Sequence, residues 1–358
     1  MTPRGRRAIL TTGTAGAPAT VAHVGRPEKE ASGLRGDRLL DRQARRRDPA
    51  SRRCCRGLRP ARPETSPGLA VPALRAYDER VDLGRIGVWT SFRTIGEENA
   101  AASARLAEEL GFGVFWLGGS PQLPVLRPLL EATTTLVVAT SIVNVWSYDP
   151  ARLAAEYTAL APAFPGRLLV GLGIGHPEAA RAYARPLSSM RQFLDGLDAA
   201  DTPLPADRRC LAALAPGMLE LSAERALGAI PYFVPLAHTR AARIRLGASA
   251  LLAPELAFVL DEDVDRARAK ARVHAQTYLG LRNYTDNLLR CGFTEQDIAD
   301  GGSDRLIDAV IPHGAADDIA TVVRAHLDAG ADHVALQAIG EPGIPRDGWA
   351  ALAAALTP

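Results

Sequence analysis

The sequence predicts an α/β fold, a (β/α)8 barrel, and three observations carry that expectation. From residue 84 onward, eight short apolar runs alternate with amphipathic stretches. Together they span about 260 residues, the usual size of an eight-unit barrel. Several runs end in small and polar residues just before the next helix, most clearly VVATSIVNVW (137–146) and RLLVGLGIGHPE (167–178). In a βα repeat that end is the C-terminal mouth of a parallel sheet, where ligands and reactive groups collect. A doubly wound open sheet is the competing architecture. It lacks GxGxxG after the first strand, and the GLGIG at 171–175 stands mid-chain and runs into His-Pro.

Element by element, RIGVWT (85–90) reads as the first strand, followed by a helix from Glu97 to Leu110. GFGVFWL (111–117) is the second strand, with a helix over 124–133. LVVATSIV (136–143) is the third, and Pro150 suits the first turn of a helix running to Ala161. RLLVGLG (167–173) is the fourth strand, then an excursion and a helix near 188–199. RRCLAAL (208–214) is the fifth, with a helix opening at Pro216-Gly217. GAIPYFV (228–234) is the sixth, before a helix at 237–246. SALLAPELAFVL (249–260) holds the seventh and DHVALQAI (332–339) the eighth. Between these two lies a long charged helical region ending in an amphipathic helix at 316–329, and 349–356 closes the chain as a helix.

Residues 1–82 are excluded from that fold. They are rich in Arg, Gly, Pro and Ala, with almost no aromatics or periodic apolar face, so burial does not offset their chain entropy. The expected reading is a disordered tail, or a stretch upstream of the true start. An arm for nucleic acid or another anionic surface, and a twin-arginine signal at Arg6-Arg7, are the competing readings. The segment carries 18 basic residues against 9 acidic, whereas the rest carries 24 against 31. The folded part is therefore acidic, and only the tail invites a nucleic-acid partner. No run has the length of a membrane span, and the four cysteines form neither a disulfide framework nor a metal motif. A cytoplasmic enzyme with a small-molecule substrate and no membrane partner is expected.

Candidate functional residues are those just past the strand ends. Trp89 closes the first strand, where rim packing and stacking on a flat ligand compete. Gly118, Gly119 and Ser120 follow the second and allow close backbone approach. Ser141, Ile142 and Asn144 follow the third, with Asn144 a polar group in an apolar run. Gly173, Ile174 and Gly175 form a small-residue wall after the fourth, and His176 beside them is suited to proton transfer near neutral pH. Ala212, Ala213, Leu214 and Ala215 lead to a helix N-terminus that suits a phosphate. His238 and Thr239 after the sixth strand read as a helix cap or a ligand contact. No HExxH, CxxC or nucleophile elbow occurs, and Glu178 is the one carboxylate read at a strand end, which leaves a glycosidase pair unsupported. The hard chemistry then falls to a bound cofactor.

From residue 84 to about 340 the chain resembles the luciferase-like monooxygenase superfamily, and within it the actinobacterial coenzyme F420-dependent oxidoreductases. The segments that carry the resemblance include GFGVFWLGGSP, VVATSIVNVWSYDP, GRLLVGLGIGHPE, YARPLSSMRQFLDGLD and LAALAPGMLELSAERALGAIPYF. The resemblance implies a cofactor ring at the barrel mouth, resting on a bulge in the third strand that often holds a non-proline cis peptide, here Ser141–Ile142. It implies that Asn144 meets the ring edge, that Gly173 to Gly175 form a wall, and that Ala212 to Ala215 touch the cofactor. His176 falls where related sugar-phosphate dehydrogenases place an acid.

The chain departs from that pattern at three places. Ser120 stands where related dehydrogenases carry a His that acts as a base, LAPGM replaces LGPKM, and VPLAHT replaces TPEHT. The expected activity is hydride transfer between F420 and a small organic substrate, with His176 moving the proton, Asn144 orienting the ring and Trp89 shaping the pocket. The competing activities are an FMN monooxygenase using reduced flavin and O₂, and a cofactor-binding barrel without turnover. A homodimer is the expected assembly by analogy.

Overall fold

The computed structural model of the chain describes residues 81–175 and 185–356. The readings made for residues 1–80, for His176 and for Glu178 therefore lie outside the described residues. Ten strands form parallel pairs: β1 (Ile86–Ser91), β2 (Val114–Gly118), β3 (Val137–Asn144), β4 (Leu168–Gly173), β5 (Arg209–Leu211), β6 (Gly228–Ala229), β7 (Leu251–Leu252), β8 (Glu255–Leu260), β9 (His313–Gly314) and β10 (Val334–Ala338). Their order is β7-β6-β5-β4-β3-β2-β1-β10-β8-β9.

Chain continuity closes this order into a barrel. The run 249–260, read from sequence as one strand, is broken at Pro254, which has no N–H for the ladder. On one side of the break the Ala253 and Glu255 N–H groups donate to the carbonyls of Ala229 and Pro231, each at 2.9 Å. On the other side Asp332 donates to Leu252 O at 2.9 Å and Ala335 to Pro254 O at 3.0 Å. One broken strand thus bridges β6 and β10, and eight strand positions close the barrel as expected. The short pair β8–β9 is an addition that the sequence reading did not anticipate.

Alternation along each strand separates two cores. Val114 and Trp116, Val137 and Ala139, Leu169, Cys210, Ile230, Ala253 and Ala335 fill the barrel interior. Their neighbours Phe115, Leu117, Val138, Leu168, Val170, Leu172, Val334 and Leu336 face the surrounding helices. Trp349, on the closing helix Arg346–Leu356, is fully buried and meets the edge of Phe115 at 6.1 Å. A third core joins Ala257 and Val259 to the helices Val264–Leu279, Arg282–Arg290 and Asp304–Val310, which make up the long insertion before the last strand. Among the described residues no helix is long and apolar enough to cross a membrane.

The N-terminal face of the barrel is held by arginines that serve orphan carbonyls. Arg243 donates to Gly330 O at 2.8 Å, to Ala250 O at 2.8 Å, and to Asp332, whose Oδ2 also accepts the Leu252 N–H at 2.8 Å. Arg243→Ala strips donors from the exposed Asp332 carboxylate and from the carbonyls of Gly247, Ala250 and Gly330. It should lower unfolding stability by about 3 kcal/mol, read as a reduced denaturant midpoint with unchanged slope.

Candidate functional site

The mouth is organised by an irregularity in β3. Its register against β4 passes from Thr140–Val170 to Val143–Leu172, so β3 carries one extra residue. The Thr140 hydroxyl donates to Gly171 O at 2.9 Å inside the barrel wall. The peptide bond Ser141–Ile142 is cis, at the bond the family resemblance singled out. Ser141 Oγ accepts the indole N–H of Trp89 at 3.0 Å, which ties the end of β1 to the bulge.

Ile142 leans on the backbone of Gly173. A Cβ at Gly173 would lie 2.6 Å from Ile142 Cγ1, so the side chain occupies space that only glycine leaves. A Cβ at Gly118 would similarly fall 2.4 Å from the Trp89 ring. Past the bulge, the Asn144 N–H donates to Ser120 Oγ at 3.0 Å, and Asn144 Oδ1 accepts the Trp146 N–H at 3.0 Å. The Trp146 indole N–H reaches Ile174 O at 2.7 Å. Asn144 Nδ2 makes no hydrogen bond with a described residue and faces Gly175, whose φ is 65°. Trp89, Gly118, Ser120, Ser141, Ile142, Asn144, Gly173, Ile174 and Gly175 therefore converge on one side of the mouth. Gly119, with φ 88°, lies in the exposed turn beside them.

The opposite side differs from expectation. β5 ends at Leu211, so Ala212 to Ala215 form a loop rather than a strand end. Ala213 is buried in the core under the helices, Leu214 is half-buried, and Ala215 is exposed at the N-cap of the helix Pro216–Arg225. β6 is only Gly228–Ala229, because Pro231 gives no N–H and Phe233 takes a left-handed φ of 54°. His238 and Thr239 do not cap the next helix, Leu236–Leu246, whose N-cap is Pro235. Both are buried: His238 Nε2–H donates to Leu214 O at 3.2 Å, and Thr239 Oγ1 pairs with His326 Nδ1 at 2.8 Å. Burial pulls the His238 imidazole down to about 4, so it stays neutral at physiological pH.

Beside that loop is a cleft of about 250 Å³ lined by Leu214, Leu219, His238, Arg245, Asn287 and Arg290, among others. Arg290 pairs with no carboxylate among the described residues and approaches Asn287 Oδ1 at 3.4 Å.

A polar cluster that sequence reasoning missed lies under the mouth. Tyr232 Oη donates to Gln337 Oε1 at 2.7 Å and is 2.9 Å from Tyr278 Oη, while its ring meets Trp89 at 5.3 Å. Glu255, at the start of β8, is 4% exposed; its Oε2 accepts the Phe233 N–H at 3.2 Å and its Oε1 has no partner. Burial, partly offset by that N–H, pushes its carboxyl up to about 8. The available signal was an acid inside an apolar run, APELAFVL.

No curated protein matches the chain in sequence. Residues 84–200 match the luciferase-like monooxygenase family model. Among solved structures, the chain is similar to an F420-dependent secondary alcohol dehydrogenase in complex with an F420-acetone adduct, at 15% identity and TM-score 0.62, over 77% of this chain and 100% of that one. It is also similar to the coenzyme F420-dependent tetrahydromethanopterin reductase of Methanopyrus kandleri (15%, TM-score 0.57, 76% and 97%). A third is the oxygenating constituent of 3,6-diketocamphane monooxygenase from Pseudomonas putida with FMN (13%, TM-score 0.53, 72% and 92%). At such identities these structures speak for the fold. The resemblance to that family read in the sequence is borne out over residues 84–200, from β1 through the helix Pro186–Asp198, and the solved structures share the barrel fold.

Proposed function

We propose that the protein is an oxidoreductase that binds coenzyme F420 at the barrel mouth and moves hydride between it and a small organic substrate. The observation that carries this reading is the β3 bulge, where Ile142 is laid against Gly173 and the Asn144 amide beside Gly175 has no hydrogen-bond partner among the described residues. That surface is an apolar wall with a hydrogen-bond donor at its edge, suited to a flat heteroaromatic ring. Two of the similar structures are of F420-dependent enzymes, which favours the deazaflavin over FMN.

Bound there, the deazaflavin supplies a carbon that takes or gives hydride; the chain positions it and excludes water. Ile142 and Gly173 support the ring, Asn144 Nδ2 donates to its edge, and Trp89 with Tyr232 shapes the substrate side. The loop Ala213–Ala215, the helix N-terminus after it and the Arg290 guanidinium suit an anionic tail, in place of the Lys missing from LAPGM. His176 remains the sequence's own candidate for proton transfer.

The test is a titration of the protein with oxidised F420 and separately with FMN, followed by fluorescence. Micromolar binding of F420 and at least ten-fold weaker binding of FMN is expected. A preference for FMN would move the activity to oxygen chemistry with reduced flavin, and binding of neither would leave a barrel without turnover.

A further inference from the structure

We propose that Gln337 orients the substrate: its amide Nε2 donates to the oxygen on the reacting carbon, while the Tyr232 hydroxyl holds its Oε1. The inference rests on the oxidoreductase reading and adds to it a residue that positions the substrate.

The strand places Gln337 first. Along β10, Val334 and Leu336 face the helices and Ala335 faces the interior, so alternation turns Gln337 inward, one layer nearer the mouth. Leu336 pairs with Val88, which sets Gln337 level with Trp89 on the neighbouring strand. The interior beneath them is closed, since Trp116, Ala139, Leu169, Cys210 and Ala335 are all buried. Gln337, Trp89 and Tyr232 are half-buried, so the opening that reaches them is the mouth.

Hydrogen bonding then fixes which end of the amide serves a ligand. Tyr232 Oη gives its one proton to Gln337 Oε1 at 2.7 Å, so in the 2.9 Å contact with Tyr278 the donor is Tyr278. The two hydroxyls form a chain that ends on Oε1 and holds the carboxamide in one orientation. Nε2 has no acceptor among the described residues and is not enclosed. Tyr232 also meets the Trp89 ring at 5.3 Å, and Trp89 is bonded to Ser141 of the bulge. Trp89 thus stands between the free amide and the ring wall, as the strand order β10-β1-β2-β3 requires.

The surroundings name the chemistry of the ligand. The groups at the mouth ends of β1 to β4 are Trp89, Gly118, Ser141, Ile142 and Gly173, none of them charged. Glu255, on β8, is buried against the Phe233 N–H. A neutral amide in such surroundings suits an uncharged carbonyl or hydroxyl oxygen, and gives a carboxylate or phosphate no counter-charge. Gln337 moves no proton. It holds the substrate oxygen so that the carbon bearing it faces the ring.

Two measurements test this. Gln337→Glu keeps the shape and the acceptor for Tyr232 but removes the donor. With F420 and 2-butanone, cyclohexanone and 2-butanol as probes, it should raise KM about 10-fold and leave kcat within about threefold, the loss of one neutral hydrogen bond. Tyr232→Phe should raise KM as well, and the double variant should be no worse than Gln337→Glu alone. In the unliganded protein carrying ¹⁵N-labelled glutamine, the side-chain amide signal missing from Gln337→Glu should shift saturably as 2-butanone or cyclohexanone is added. A Gln337→Glu enzyme with normal KM overturns the proposal, and so does an amide signal that no probe moves. Additive losses in the double variant overturn the part given to Tyr232. Failure of F420 to bind the wild type overturns the oxidoreductase reading instead, and the amide shift is read without F420.

Discussion

Gly173→Ala should weaken F420 binding at least 100-fold while the barrel still folds. The added Cβ falls 2.6 Å from Ile142 Cγ1 and 2.7 Å from its Cδ1, so the isoleucine side chain must turn away from the wall. The space it turns into is the ring site. A 100-fold loss corresponds to about 2.7 kcal/mol of binding energy. Overpacking at one position costs about 1–3 kcal/mol of stability, which a barrel of this size tolerates. Fluorescence titration gives the affinity, and thermal unfolding checks the fold. The double variant Ile142→Ala/Gly173→Ala should recover part of the affinity, because the clash is with that side chain. Wild-type affinity in Gly173→Ala would show that the ring does not rest on this wall.

Stability should pass through a maximum close to pH 6.5 and fall on both sides. On the acid side, burial pulls His238, His274, His326 and His333 down to about 4 each, from an ordinary 6.5. Between those values the unfolded chain binds more protons than the native one, so stability rises with pH through that window and is lost below it. Each histidine contributes up to about 3 kcal/mol, since every tenfold change in proton affinity is worth about 1.4 kcal/mol. On the alkaline side Glu255 acts in the opposite sense. Its carboxyl ionises at about 8 in the folded chain and at 4.5 in the unfolded one, so the native state holds the extra proton between them. Stability therefore declines as pH rises from 4.5 to 8, by a few kcal/mol, and levels off above. Denaturant midpoints from pH 4 to 9 would show the dome, and Glu255→Gln should flatten its alkaline side. A midpoint that does not vary with pH would contradict both assignments.

Most of the barrel was legible because its strands alternate strictly. Val114, Trp116, Val137, Ala139 and Leu169 go inward while Phe115, Val138 and Leu168 go outward. The short strands were not. Pro231 and Pro254 each remove a ladder donor, so the runs 228–234 and 249–260 look continuous in sequence yet pair for only part of their length.

One side of the site was equally legible. Asn144, Gly173 and Gly175 sit past strand ends where small and polar residues interrupt apolar runs, and the structure gathers them. The reading of Asn144 was incomplete: Trp146 takes its Oδ1, and among the described residues only the amide is left for a ligand. Glu255 was passed over because carboxylates were sought after strand ends, whereas it opens β8 after the Pro254 break, buried against the Phe233 N–H. Tyr278 and Tyr284 come from the long insertion, and no local pattern tells which way such helices fold back. His238 and Thr239 resembled a cap, but Pro235 precedes them and takes that position.

The most direct test of the account is a crystal structure of the protein grown with oxidised F420. The deazaflavin ring is expected between Ile142, Gly173 and Gly175, with Asn144 Nδ2 within hydrogen-bond distance of its edge and the tail running past Leu214 toward Arg290. A ring bound elsewhere, with Ile142 and Gly173 uncovered, would contradict it.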